Sequence, residues 1–249
     1  MILVIGSSHD DVLYLESMMR NVEREKLNER CFYFTGLLSG QSICVAYGLD
    51  TNYMSSVVAT YLIQKFNAPV VINVGMARAF SHDLNVGDVV ICKSVYLADV
   101  NMVNETRVKL TEIPGMNEYC ISDVYLVNLL NKLGLNFFSN NLKSGTLVSS
   151  NNFYNSITDM EKLNVTDGIT FLGKERYICL DNEAGGIAVS CTLLGVPFVS
   201  IKIIQYILDV ENYNKENFIN ALKEYPAVGK LITSLIAEIT NNAIETVNT

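Results

Sequence analysis

At 249 residues, with 49% hydrophobic residues and a formal net charge of −8, the chain is long enough for one large α/β domain, residues 1–249, with a sizeable core. The negative balance opposes non-specific binding to nucleic acid or to anionic membrane surfaces. No apolar stretch runs uninterrupted for the roughly 18 residues of a membrane span.

The first residues, MILVIGSSHDDV, lack a basic segment and reach Gly6 and then acidic residues too soon for a signal peptide, so a cytoplasmic chain starting at Met1 is expected. Six cysteines (Cys31, Cys44, Cys92, Cys120, Cys179 and Cys191) lie mostly in apolar runs without paired spacing, which predicts free core thiols. With only His9 and His82 available, a histidine-rich metal site is not expected, and no cofactor is implied. A neutral or cationic small molecule is the partner that the charge favours.

Ile2 to Ile5 reads as a strand, Gly6-Ser7-Ser8 as a loop, and Asp10 to Leu27 as a helix with Val12, Leu15, Met19 and Val22 on its apolar face. The ordinary role of Asp10 and Asp11 is favourable charge at that helix's amino terminus. Cys31–Leu38 and Ser42–Tyr47 form a hairpin with Gly40 in its turn. Thr51 or Asn52 caps a helix through Phe66, and Pro69 precedes a buried strand from Val70 that runs into Asn73-Val74-Gly75-Met76-Ala77-Arg78. Gly75 allows close approach of a ligand or simply makes a turn.

Val89–Val95 is a strand, and the long polar segment from Asp99 to Tyr119 has the length of a binding or assembly loop. Ser122 caps a helix to Leu133, Gly145–Ser149 is a strand, and Ser150 to Asn155 is a polar loop with two adjacent aromatics, Phe153 and Tyr154, where an aromatic either stacks on a base or fills the core. Tyr177–Leu180 and Val196–Ile204 are buried strands flanking a small-residue helix, Ala184–Leu194. Asp181, Asn182 and Glu183 stand where the first of these strands gives way to the helix, the usual ligand position in an open α/β sheet, although capping explains them equally well. A final helix starts at Asn214 and kinks near Pro226. Alternating strands and helices together with a hairpin predict an α/β protein with a mixed central sheet flanked by helices.

Several segments, taken together and in order, resemble the nucleoside phosphorylase and hydrolase superfamily, most closely its methylthioadenosine/S-adenosylhomocysteine nucleosidase branch. They are Ile5-Gly6 with its acidic loop, Ile72-Asn73-Val74-Gly75, Val86-Gly87-Asp88-Val89-Val90, Tyr96 with Ala98-Asp99-Val100, and Ile113-Pro114-Gly115. The series continues through Val148-Ser149-Ser150-Asn151-Asn152-Phe153, Asp181-Asn182-Glu183-Ala184 and Gly195-Val196-Pro197-Phe198-Val199, so it covers nearly the whole chain.

The resemblance implies a nucleoside pocket at strand ends and a homodimer in which the Asp99–Gly115 segment reaches the neighbour. It also implies that Asp11 activates water, Glu183 holds the ribose hydroxyls and Phe153 stacks near the purine. Gly75, Met76, Asn152 and Asn182 fall at substrate-lining positions. The family's acid for the purine leaving group, an Asp, is replaced by Tyr206, a weaker acid. Asp209, three residues on, could serve only if the chain bends differently there.

Met76 replaces a small serine, Arg78 and Ala79 replace glycines, Asp11 is shorter than the family's Glu, and Asn182 replaces a Met. The leading expectation is a divergent nucleosidase hydrolysing the N-ribosyl bond of a 5′-substituted adenosine or related nucleoside. A catalytically reduced or inactive nucleoside-binding homologue is the alternative. A phosphorylase, which would want clustered cations near Gly75, ranks below both. Arg78 is expected to be a surface charge.

Overall fold

The structure, a computed structural model, describes residues 1–80, 83–100, 115–116, 119–154, 156, 158, 177–208 and 215–247. Asp209 and residues 101–114, which hold most of the expected inter-protomer loop, lie outside this set.

The described strands form one ten-stranded sheet. They are β1 (Ile2–Gly6), β2 (Arg20–Lys26), β3 (Phe32–Leu38), β4 (Gln41–Tyr47), β5 (Val71–Ala79), β6 (Val89–Leu97), β7 (Cys120–Ile121), β8 (Leu142–Ser149), β9 (Tyr177–Asp181) and β10 (Phe198–Ile207). The order is β10-β6-β8-β9-β5-β1-β4-β3-β2, with β7 beside β6 and a further pairing of β10 with β5. That pairing closes β5, β10, β6, β8 and β9 into a ring. Both parallel pairs, such as β1 with β5, and antiparallel pairs, such as β10 with β6, are present, so the sheet is mixed as expected.

The described helices are α1 (His9–Met18), α2 (Asn52–Phe66), α3 (Val124–Gly134), α4 (Ala184–Leu194), α5 (Lys215–Leu222) and α6 (Tyr225–Val247). Leu62 and Ile63 of α2 pack with Ile187 and Ala188 of α4 in one core layer. Leu15 of α1, Leu126 and Leu130 of α3, and Leu231 and Leu235 of α6 fill another. All six cysteines are buried and unbridged. Among the described residues, no helix is long and apolar enough to cross a membrane.

The small residues of α4 are set by its approach to α2. A methyl on Gly186 would stand 2.0 Å from the Asn52 main-chain carbonyl oxygen, so the helices touch backbone to backbone. That contact fixes the start of α4, where the acidic segment lies. Gly40, at φ +81°, makes the β3–β4 turn as expected.

Three readings of the sequence are corrected. The helix expected to Leu27 stops at Met18, and Arg20–Lys26 is a mostly exposed strand that pairs antiparallel with β3. Asp123, not Ser122, caps α3 by accepting from the Leu126 N–H at 2.9 Å. The last helical stretch is two helices rather than one kinked helix, with Pro226 in the first turn of α6, where its missing N–H costs no helical bond.

Candidate functional site

A cavity of about 480 Å³, the size of a small-ligand site, opens where β1, β5, β9 and β10 end. Ser7, Ser8 and Asp11 line it from the start of α1, Met76, Ala77 and Arg78 from β5, and Asp181, Asn182 and Glu183 from the β9–α4 junction. Asn151 and Phe153 add a loop wall, and Gln205 and Tyr206 close the β10 side.

Lys202 lies beneath the cavity, fully buried, with its Nζ 2.7 Å from Asp181 Oδ2 and 2.6 Å from Glu183 Oε1. Burial works against its charge, but the two carboxylates more than offset that and raise its pKa. Burial, and then the neighbouring charge of Asp181, push Glu183 up to about 8 against the opposing pull of Lys202. One cation thus serves two carboxylates. Asp181 also accepts from the Ala184 N–H at 3.1 Å, although the N-cap position of α4 is Glu183 rather than Asp181 or Asn182.

Asp11 sits in the first turn of α1 and accepts from the Ser8 N–H at 2.6 Å through Oδ2 and from the Tyr225 hydroxyl through Oδ1. Its pKa is raised by burial, which outweighs these hydrogen bonds and the more distant Lys202. Gly75 lies between the acids. A methyl built there would be 3.1 Å from Glu183 Oε1, 3.4 Å from Lys202 Nζ and 3.7 Å from Asp11 Oδ2. The bare Gly75 backbone therefore keeps open the space that both carboxylates face.

The loop bearing Phe153 is held by Asp99, which accepts from Ser150 Oγ at 2.5 Å, Asn151 Nδ2 at 2.9 Å and Asn152 Nδ2 at 3.2 Å. Asn182 ties it from the other side by donating to the carbonyls of Ser150 at 2.5 Å and Asn152 at 3.1 Å. Asn152 and Asn182 thus have defined duties in shaping the loop. Phe153 itself is exposed, not a core plug.

Arg78 is not the surface charge the sequence suggested, since only 4% of it is exposed. A bulge between Ile204 and Tyr206 brings Tyr206 opposite Arg78 in the β5–β10 register. Burial raises the Tyr206 pKa and the Arg78 charge partly opposes this.

Of the residues singled out from the sequence, Asp11, Met76, Asn182, Glu183, Phe153 and Tyr206 line this cavity, whereas Gly75 lies beside the two acids and Asn152 in the loop without lining it. Lys202 and Tyr225 were missed. Lys202 left one signal, a lone cation within the run Phe198–Ile204, which is apolar apart from it and Ser200. Tyr225 left none, because it meets Asp11 from 214 positions away.

The protein is thus an α/β sheet with a cavity of small-ligand size at its strand ends. The family model described as the phosphorylase superfamily matches residues 1–240, and the chain belongs to that family. It is 27% identical over 214 residues to a 5′-methylthioadenosine/S-adenosylhomocysteine nucleosidase of Bacillus pumilus, covering 85% of this chain and 87% of the other. The nucleosidase of Neisseria meningitidis, solved with methylthio-immucillin-A, superposes with a TM-score of 0.80 at 24% identity over 94% of this chain and 97% of that one. Futalosine hydrolase of Helicobacter pylori gives the same TM-score of 0.80 at 20% identity, over 95% and 97%. The expected nucleoside phosphorylase-like fold is borne out.

Proposed function

We propose that the protein is a nucleosidase that hydrolyses the N-ribosyl bond of a purine nucleoside with a substituted 5′ position. The observation that carries this reading is the pair Asp11 and Glu183 on either side of Gly75, both facing one nucleoside-sized cavity. In the reaction the C1′–N9 bond breaks with its electron pair going to the base. Water adds its oxygen to C1′ and gives a proton to Asp11. Glu183 holds the ribose 2′ and 3′ hydroxyls, since a carboxyl group has the oxygens to engage both. Tyr206 stands on the base side of the cavity.

The Bacillus pumilus nucleosidase supports the reaction class by its name. Against a phosphorylase, Lys202, the cation that a methyl on Gly75 would approach at 3.4 Å, is already matched by Asp181 and Glu183, so a phosphate there would meet carboxylates. The test is release of free base from 5′-methylthioadenosine, 5′-methylthioinosine and their 5′-hydroxyl parents, with and without phosphate. Base without phosphate is expected. Base only with phosphate would make the protein a phosphorylase, and no base from any of the four would leave the nucleoside-binding homologue as the better reading.

We further infer a homodimer. Tyr53 and Val57 on α2 and Leu193 on α4 are large apolar side chains left exposed, and surface of that kind on neighbouring helices suits a second copy. Sedimentation at micromolar concentration should give twice the monomer mass; a monomer would end this part of the proposal.

A further inference from the structure

The family resemblance leads one to expect a base on the face of Phe153, but a charge is already there. The Arg78 guanidinium lies over the ring with its central carbon 4.1 Å from the centroid. One face of Phe153 is therefore covered from within the protein, and whatever binds on that side meets a cation.

Arg78 is held at its outer edge. One terminal nitrogen donates to the Tyr154 carbonyl at 3.2 Å and the other to Asn182 Oδ1. A guanidinium carries five N–H donors, so these two bonds fix its plane without exhausting it. Among the described residues, no carboxylate forms an ion pair with it, although it is buried and lines the cavity. Asp181 and Glu183, which line the same cavity, are drawn to Lys202 instead. A buried charge that lacks a counter-charge among the described residues is costly, and a ligand that brings acceptors to that wall offsets the cost.

Two purine edges can be compared for this wall. A 6-oxopurine presents N7 and O6, two adjacent acceptors, the pair that an arginine fork reads bidentately in guanine. A 6-aminopurine presents one acceptor and, beside it, an amino group whose hydrogens would point at other donors. Tyr206, opposite Arg78, adds a hydroxyl that can donate to the same edge.

We propose that Arg78 determines base specificity, so that this site takes nucleosides whose leaving base is a 6-oxopurine rather than a 6-aminopurine. The inference rests on the reading of this cavity as a nucleosidase site. It also answers how the missing acid is replaced. As the C1′–N9 bond breaks, the purine takes the electron pair, and in a 6-oxopurine the negative charge spreads toward N7 and O6. A fixed guanidinium at that edge stabilises the developing anion without giving up a proton. The purine anion takes its proton from a second water on release, Asp11 gives the proton it took from the attacking water to the hydroxide so formed, and the sum is one water consumed for each bond broken.

The experiment compares 5′-methylthioinosine with 5′-methylthioadenosine as substrates by kcat/KM, and hypoxanthine with adenine as ligands by calorimetry. The oxo member of each pair should be favoured by about tenfold to a hundredfold, the discrimination a bidentate arginine gives. Arg78→Gln should bring both ratios toward one. Arg78→Lys, which keeps the charge and loses the fork, should fall between. Equal or better use of the amino members by the wild-type protein would overturn the inference and leave the nucleosidase reading intact. Ratios unchanged in a folded Arg78→Gln or Arg78→Lys protein would overturn the role of Arg78. Neither binding nor cleavage of any of the four compounds would sink the nucleoside site itself and this inference with it.

Discussion

Lys202→Met is expected to lower the folding stability by about 3–5 kcal/mol, the loss typical when one partner of a buried ion pair is removed. Lys202 is completely buried and holds Asp181 at 2.7 Å and Glu183 at 2.6 Å, so methionine fills the volume while leaving two buried carboxyl groups facing each other. The pH dependence follows from the shifts. Glu183 has an ordinary value of 4.5 and is raised in the folded protein to about 8. Between those values the folded chain keeps a proton that the unfolded chain releases, so this group's contribution is fully present below 4.5 and lost as pH rises through 8. The raised pKa of Lys202 works in the same sense but at strongly alkaline pH, so the ammonium supports the fold throughout the neutral range. In Lys202→Met the carboxyl groups lose their cation, and the deficit should be smallest in acid and deepen toward pH 8. Denaturant unfolding at a series of pH values measures this. A deficit of 1 kcal/mol or less on the scale of a surface pair, or one independent of pH, would show that the carboxyl groups do not need Lys202.

Why Lys202 escaped the sequence reading explains how much of this protein was legible. Short apolar runs bounded by turn residues gave away β1, β5, β9 and β10, because buried strands advertise themselves through continuous hydrophobicity. The small residues of α4 were just as clear, since only a tight helix contact demands them. Arg20–Lys26 failed because its charges alternate with spacing that also suits a helix, and its strand form comes from pairing with β3, not from burial. The same limit applies to the site. Asp11, Glu183 and Phe153 could be found because each sits in a recognisable segment. The partners that set their chemistry, Lys202 for Glu183, Tyr225 for Asp11 and Arg78 for Phe153, come from other elements. A local pattern places a residue at a strand end, but only the tertiary fold says what charge stands beside it.

Asp11→Asn is expected to reduce kcat for nucleoside hydrolysis by about 10² to 10⁴, the contribution of a positioned general base, with nucleoside affinity changed only a few-fold. Asp11 has the features a base needs here. Burial raises its affinity for a proton, its Oδ2 points toward the space above Gly75, and the Tyr225 hydroxyl and Ser8 N–H fix its orientation. The competing explanation is structural, since the Ser8 N–H bond is an ordinary helix-start contact worth about 1 kcal/mol. Asparagine is the informative replacement because its single carbonyl oxygen can still accept one of the two hydrogen bonds while the amide cannot take a proton. A fall in melting temperature with kcat intact would assign Asp11 to the helix alone. Gly75→Ala provides the companion measurement without touching either acid. Its methyl would stand 3.1 Å from Glu183 Oε1 and 3.7 Å from Asp11 Oδ2, in the space where water and ribose must meet. It should therefore lower kcat/KM at least tenfold, a loss of about 1.4 kcal/mol of transition-state stabilisation. If the alanine protein folds and turns over nucleosides at the wild-type rate, the reacting atoms do not lie between Asp11 and Glu183, and the water-activating role of Asp11 falls with that geometry.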